Sequence, residues 1–236
     1  MPFTSNPPRL RSEAVHDRLR REILSGQYAP GDALPSERAL SEAHRVNRHA
    51  VREAIKRLQQ AGLVQVAQGG ATRVLDWHVT GGLDLLADLA TTEELAPLLQ
   101  AIGEMRASIG ADAARLCALR GPADLRAELP AMARALPDPA DVRRFETRFR
   151  AYEAFWARIV AGSGNLTYRL AFNSLVGARD AGGIDTALYV AEVDDARAAT
   201  VPLATAIAGG DAEIAFALAR ELLGRGISAT SDAAST

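Results

Sequence analysis

The chain has 236 residues, 48% hydrophobic and 24% charged, the balance of a folded globular protein rather than a disordered one. A single cysteine, Cys117, excludes a disulfide framework and a cysteine-based zinc site. The formal net charge of −2 is unevenly divided: residues 1–75 carry +5 and the remainder −7, which suits a polyanionic partner at the head only.

Met1–Leu10 is Pro-rich and without period, so residues 1–11 are expected to form a loose arm, and they lack the apolar segment of a secretory signal. No later apolar stretch reaches spanning length, so a cytoplasmic protein with no membrane partner is expected. Ser12 is placed to cap a helix to about Ser25, with Val15, Leu19 and Ile23 as its buried stripe and Gly26 as its stop. Gln27–Leu34 contains a Pro-Gly turn signal. Ser36 caps a short helix with Ala39, Leu40 and Ala43 inward. Asn47 caps a second, which buries Val51, Ala54, Ile55 and Leu58 and turns Arg48, His49, Arg52, Lys56 and Arg57 outward. After a stop at Gly62, residues Val64, Val66, Thr72 and Val74 alternate about Gln68-Gly69-Gly70 as a small hairpin. Two helices followed by a hairpin make a helix-turn-helix with a β-wing, a shape that sets one cationic helix against a DNA duplex.

Leu75–Gly82 reads as a connector, and from Leu83 the pattern is helical throughout. Thr91 and Glu94 form a possible capping box ahead of a helix in which Leu98, Leu99, Ile102, Met105 and Ile109 make a stripe through Leu116; Pro97 blurs its start. Gly121-Pro122 restarts the chain for a helix to about Leu136, with a kink expected at Pro130. Pro139–Val160 is the clearest helix, with Val142, Phe145, Phe149, Tyr152, Trp156 and Ile159 three and four apart. Gly162-Ser163-Gly164 stops it, Asn165 caps Leu166–Arg179, and a further helix spans about Asp185–Ala208 with a bend at Pro202. Asp211 caps the last helix, with Ile214, Leu218 and Leu222 inward, and Ser228–Thr236 reads as a polar tail. The expected fold is mainly α: an N-terminal winged helix-turn-helix over 1–77, an antiparallel α-helical bundle over 78–228, and a flexible tail over 229–236.

The N-terminal third resembles the GntR family of bacterial transcription regulators, through L-P-S-E-R-A-L-S-E at Leu34–Glu42, V-N-R-H-A-V-R-E-A-I-K-R-L at Val46–Leu58, and G-L-V at Gly62–Val64 with its Gly-Gly wing. The helical second half, with E-M-R at Glu104–Arg106, A-G-S-G-N at Ala161–Asn165 and A-I-A-G-G-D at Ala206–Asp211, is similar to the FadR-like branch. There a helical domain binds an effector and pairs two subunits. The resemblance implies a dimeric regulator, usually a repressor, on a palindromic operator.

It further implies that Arg48 reads a guanine edge in the major groove, with Arg38 beside it. Asn47 and His49 flank Arg48 and read bases or phosphates, unless Asn47 serves only as N-cap and His49 is merely solvent-exposed. Arg52 and Arg57 grip phosphate, and Gln68 and Gly69 at the wing tip enter the minor groove or simply turn the hairpin tightly. One departure concerns Arg45, where the family usually has glycine between the two helices. Either arginine bears the strain of a positive φ there, with a phosphate contact as compensation, or the turn differs.

Many members of the branch hold a divalent metal through an aspartate and three histidines. The matching positions here are Tyr152, Trp156, Thr200 and Leu222, and no histidine follows the connector, so neither metal nor other cofactor is expected. The site is expected to persist as a cavity, walled by Tyr152 and Trp156, with Arg106, Asn173 and Thr200 as polar handles. The alternatives are that the two aromatics are core and that Arg106 pairs with a protein carboxylate. A long-chain acyl-CoA or fatty acid is the first effector expectation, a small organic or sugar acid the second, and an effector-independent DNA-binding dimer the third. No Ser/His/Asp or Cys/His pattern is present, and no catalytic residue is expected.

Overall fold

The computed structural model describes residues 8–67, 70–91, 95–137, 145–180 and 196–233. The chain divides into two compact units, Met1–Thr92 and Glu93–Thr236. The N-terminal unit is therefore longer than the helix-turn-helix and wing alone.

Helix α1 runs Pro8–Leu24 and begins four residues before the expected cap. A proline suits the first helical turn, where an N–H has no intrahelical acceptor, so Ser12 lies buried inside the helix instead of capping it. Val15, Leu19 and Ile23 are buried, and Gly26 at φ +76° closes the helix as expected. Ser36 Oγ accepts from the Ala39 N–H at 3.2 Å to start α2 (Glu37–His44), and Asn47 Oδ1 accepts from the Ala50 N–H at 2.8 Å to start α3 (Arg48–Gln60). Leu40 is the buried residue of α2. Ala39 and Ala43, expected inward, are exposed, because a two-turn helix laid on α3 presents a single ridge to the core. Val51, Ala54, Ile55 and Leu58 pack from α3 against Val15, Leu19 and Ile23 of α1.

The wing pairs β1 (Val64–Val66) with β2 (Thr72–Val74) in antiparallel register, Val64 opposite Val74 and Val66 opposite Thr72. The segment read as a turn at Gln27–Leu34 also extends the sheet. The Gly31 N–H donates to Val74 O at 2.8 Å, Val74 N–H to Asp32 O at 2.9 Å and Leu34 N–H to Thr72 O at 2.8 Å. The Pro-Gly signal concealed that edge, which is too short to alternate visibly.

The expected connector is folded onto this unit. Asp76 caps α4 (Trp77–Thr80), and the Thr80 hydroxyl donates to Gly62 O at 2.6 Å. A 3₁₀ turn at Leu83–Leu85 leads into α5 (Leu86–Leu89), with Leu85 buried in the α1–α3 core. Arg20 of α1 fixes this segment by donating to Asp84 O and pairing with Asp88 Oδ2, each at 2.8 Å. Thr91 Oγ1 donates back to Asp88 O, while its expected capping partner Glu94 lies outside the described residues.

The second unit is helical in every element described. It comprises α6 (Leu95–Arg120), α7 (Ala123–Arg134), α8 (Phe145–Gly162), α9 (Leu166–Asp180), α10 (Ala196–Gly209) and α11 (Ala212–Ala233). Pro97 sits in the first turn of α6, where it costs no hydrogen bond. Asn165 Oδ1 accepts from Thr167 N–H at 3.1 Å and Tyr168 N–H at 3.4 Å, the expected cap of α9. The expected starts of α8 at Pro139 and of α10 at Asp185 fall outside the described residues. On α11 the buried face is Ala215, Ala219, Leu222 and Leu223, whereas Ile214 is 56% exposed, so the inward stripe is rotated from the expected one. That helix also continues to Ala233, through most of the stretch read as a polar tail.

Small residues set how closely these helices approach. A Cβ on Gly110 of α6 would collide with Leu223 Cδ1 of α11, and one on Gly162 would collide with Cys117 Sγ. Cys117 is fully buried there, and burial pushes its thiol up to about 11. Thiolate is the reactive form, so at pH 8 a disulfide reagent is expected to label the native protein only after unfolding. A titration with the reagent, before and after adding denaturant, checks this.

Candidate nucleic-acid interface and effector cavity

The polar side of α3 faces solvent because its other side is filled by Val51, Ala54, Ile55 and Leu58. Arg48 and His49 occupy the first two positions after the cap and are exposed. Asn47 places its Oδ1 in the cap, so that oxygen is committed to the backbone. The Arg52 Nε–H donates to Glu37 Oε2 at 2.8 Å, tying α3 to the start of α2, and Arg38 lies 3.5 Å from Glu42. Arg38 and Arg52 are both well exposed, at 72% and 67% of their side chains, so these ion pairs are weak and a phosphate can displace the carboxylates. Arg38, Asn47, Arg48, His49 and Arg52 are all exposed on the α2–α3 pair. Gln68 and Gly69 lie outside the described residues.

Between the helices Arg45 has φ 52° and ψ 43°, the left-handed geometry that glycine ordinarily supplies. Of the two outcomes left open by the sequence, the turn keeps its shape and arginine bears the strain.

In the helical unit a cavity of about 70 Å³ opens between α6, α8, α9 and α11. Its wall includes Arg106, Gly110, Phe149, Tyr152, Glu153, Trp156, Val160, Leu175, Val176, Arg179 and Leu223. Arg106, Tyr152 and Trp156 are therefore brought together. The other two anticipated handles are not among the wall residues: Asn173 is exposed on α9, where its neighbour Phe172 lines the cavity instead, and Thr200 is buried within α10.

Arg179 is a charged wall residue that sequence reasoning missed. It is 8% exposed, with Nη2 2.8 Å from Asp180 Oδ1 and 3.4 Å from Glu153 Oε2, and its guanidinium carbon lies 4.2 Å from the Phe149 ring centroid. The available signal was its spacing, since Phe172, Leu175, Val176 and Arg179 share one helical face. Two donors on this wall lack an acceptor: the buried Arg179 Nε and the indole Nε1 of Trp156. The Nε atoms of Arg20 and Arg126, which do not line this cavity, also lack an acceptor, so it is the position of the Arg179–Trp156 couple on the wall that offers a place for one.

The metal of the FadR-like branch does not fit these residues. Trp156 and Leu222 offer no ligand atom, and among the described residues no three His, Cys, Asp or Glu side chains are grouped to hold a metal ion.

A family model described as "Bacterial regulatory proteins, gntR family" matches residues 11–74, and one described as the FCD domain matches residues 84–225. The chain belongs to the GntR family. Among its relatives, the HTH-type transcriptional regulator Mce2R of Mycobacterium tuberculosis is 38% identical over 69% of this chain and 67% of that protein. The fatty acid metabolism regulator protein of an Enterobacter strain is 34% identical over 66% of this chain and 63% of its own length, so the match leaves about a third of these relatives uncovered. A solved structure titled for Lar, which controls expression of the Listeria monocytogenes agr system, aligns over 98% of this chain and 99% of that one with a TM-score of 0.57 at 17% identity, a likeness of fold. This GntR protein is thus a helix-turn-helix transcription regulator with an FCD domain, not an enzyme. None of its described helices is long and apolar enough to cross a membrane.

Proposed function

We propose that this GntR-family regulator is a cytoplasmic, homodimeric repressor that binds a palindromic operator through two copies of α3 and answers to a small molecule held in the FCD cavity. Arg48 reads a guanine edge, Arg38 and His49 contact the adjoining bases or phosphates, Arg52 and the Asn47 amide grip the backbone, and Gln68 and Gly69 enter the minor groove. Supporting this is the exposure of these cations on α2 and α3, while Val51, Ala54, Ile55 and Leu58 fill the buried side of α3. Ligand control requires that the effector bind the DNA-competent and incompetent arrangements with different affinity.

One observation characterises the effector: two acceptorless donors, Trp156 Nε1 and Arg179 Nε, on a mostly apolar wall that also includes Arg106, Tyr152 and the Glu153 carboxylate paired with Arg179. A ligand with an apolar body and an oxygen acceptor at its head fits. Relatives named as fatty acid metabolism regulators favour a long-chain acyl-CoA or fatty acid. The cavity favours a shorter organic acid, because about 70 Å³ falls well below the roughly 300–1,000 Å³ of pockets that enclose drug-sized ligands.

A thermal-shift panel of short-chain acids, hydroxy acids and long-chain acyl-CoA, followed by an operator gel shift with each hit, tests this. Stabilisation by a short apolar acid together with altered operator binding is expected. Operator binding unaffected by every stabilising ligand would make the protein an effector-independent DNA-binding dimer.

A further inference from the structure

Arg45 is the one described non-glycine residue at positive φ. An L-residue in the left-handed region crowds its Cβ against the following carbonyl, which is why glycine commonly occupies such turns. The backbone does not relax to avoid this. Arg45 N–H donates to Glu42 O at 3.3 Å, Val46 N–H to Ser41 O at 3.1 Å, and the Ser41 hydroxyl to Val46 O at 2.6 Å. Glycine would allow the same three bonds without the crowding, so the turn itself gives no reason for arginine.

Nor does the reader unit use the side chain. Arg45 is exposed, and among the described residues no carboxylate lies within ion-pair distance of it, whereas Arg38 and Arg52 are paired with Glu42 and Glu37. It stands three residues before Arg48, at the entry to the N-terminus of α3, where unpaired N–H groups and the helix dipole also favour an anion. Strained residues persist where the surroundings hold them and function uses them.

We propose that Arg45 is a phosphate-binding residue of the reader, holding the duplex backbone beside the groove that Arg48 enters, and that the left-handed strain is retained for this contact. A phosphate contact carries no sequence information, so Arg45 strengthens binding to any duplex rather than selecting one.

The test uses the full chain and a duplex of arbitrary sequence over a salt series, independently of any effector. Each neutralised phosphate adds about 0.9 to the slope of log affinity against log salt. Arg45→Gly is expected to raise the melting temperature and lower that slope by about 0.9, so that binding changes about 3.5-fold less between roughly 50 and 200 mM salt. Arg45→Lys, which keeps the charge, is expected to keep the slope. So is Arg21→Ala, an exposed cation on α1, the helix that covers the buried face of α3. A higher-melting Arg45→Gly with the wild-type slope overturns the proposal, as does an equal loss of slope in Arg21→Ala. Failure of the wild type to bind any duplex would instead remove the DNA-binding reading on which the proposal stands.

Discussion

Arg48→Ala is expected to weaken operator binding by about 1–3 kcal/mol, roughly 5- to 150-fold, while leaving affinity for unrelated duplex far less changed. The argument begins with the cap. Asn47 ends the turn with its Oδ1 on the Ala50 N–H, so the next side chain projects from the first turn of α3 toward solvent. A guanidinium there can donate to both acceptors of a guanine in the major groove, and alanine removes both donors at once. Nothing in the fold depends on Arg48: it is exposed, and alanine is the better helix former. Binding measured on the operator and on a scrambled duplex separates the two components. Equal losses on both would make Arg48 a phosphate contact instead.

Phe155→Ala is expected to destabilise the protein by about 3–5 kcal/mol. Phe155 is completely buried in α8, and its ring meets Trp156 edge-on with centroids 6.2 Å apart. Its deletion would leave a void in a helical unit whose helices already approach closely at Gly110 and Gly162, so little collapse is available to fill it. Urea unfolding monitored by circular dichroism checks the magnitude. A cost below about 1 kcal/mol would mean that the neighbouring helices do close over the site.

How much of this was legible beforehand depended on whether the signal was local. Caps at Ser36, Asn47 and Asn165 rest on one side chain and the next turn of backbone, and each forms the expected hydrogen bond. The buried faces of α1 and α3 follow from spacing alone. The third sheet segment near Leu34 was hidden because its partner lies about forty positions away and its length is below one clear alternation. Folding of the connector onto the reader was equally non-local, resting on the Thr80 hydroxyl reaching Gly62 O, and the segment after it is held by Arg20 reaching Asp84 and Asp88. In the cavity the aromatic pair was found from its helical stripe. Asn173 lies on the exposed side of α9 while its neighbour Phe172 lines the cavity, and Arg179 was missed because a terminal arginine usually reads as a solvated cation. The αL turn at Arg45 could be posed from sequence as a choice, but its backbone geometry decided it.

Hydroxyl-radical footprinting of the protein on the DNA upstream of its own coding sequence is the most direct measurement of the central claim. Two protected half-sites related by a dyad, their centres separated by about one helical turn or a multiple of it, are the expected result, with protection of both lost in Arg48→Ala. A single unpaired half-site, or uniform protection that moderate salt abolishes without any preferred position, would contradict a dimeric sequence-reading regulator.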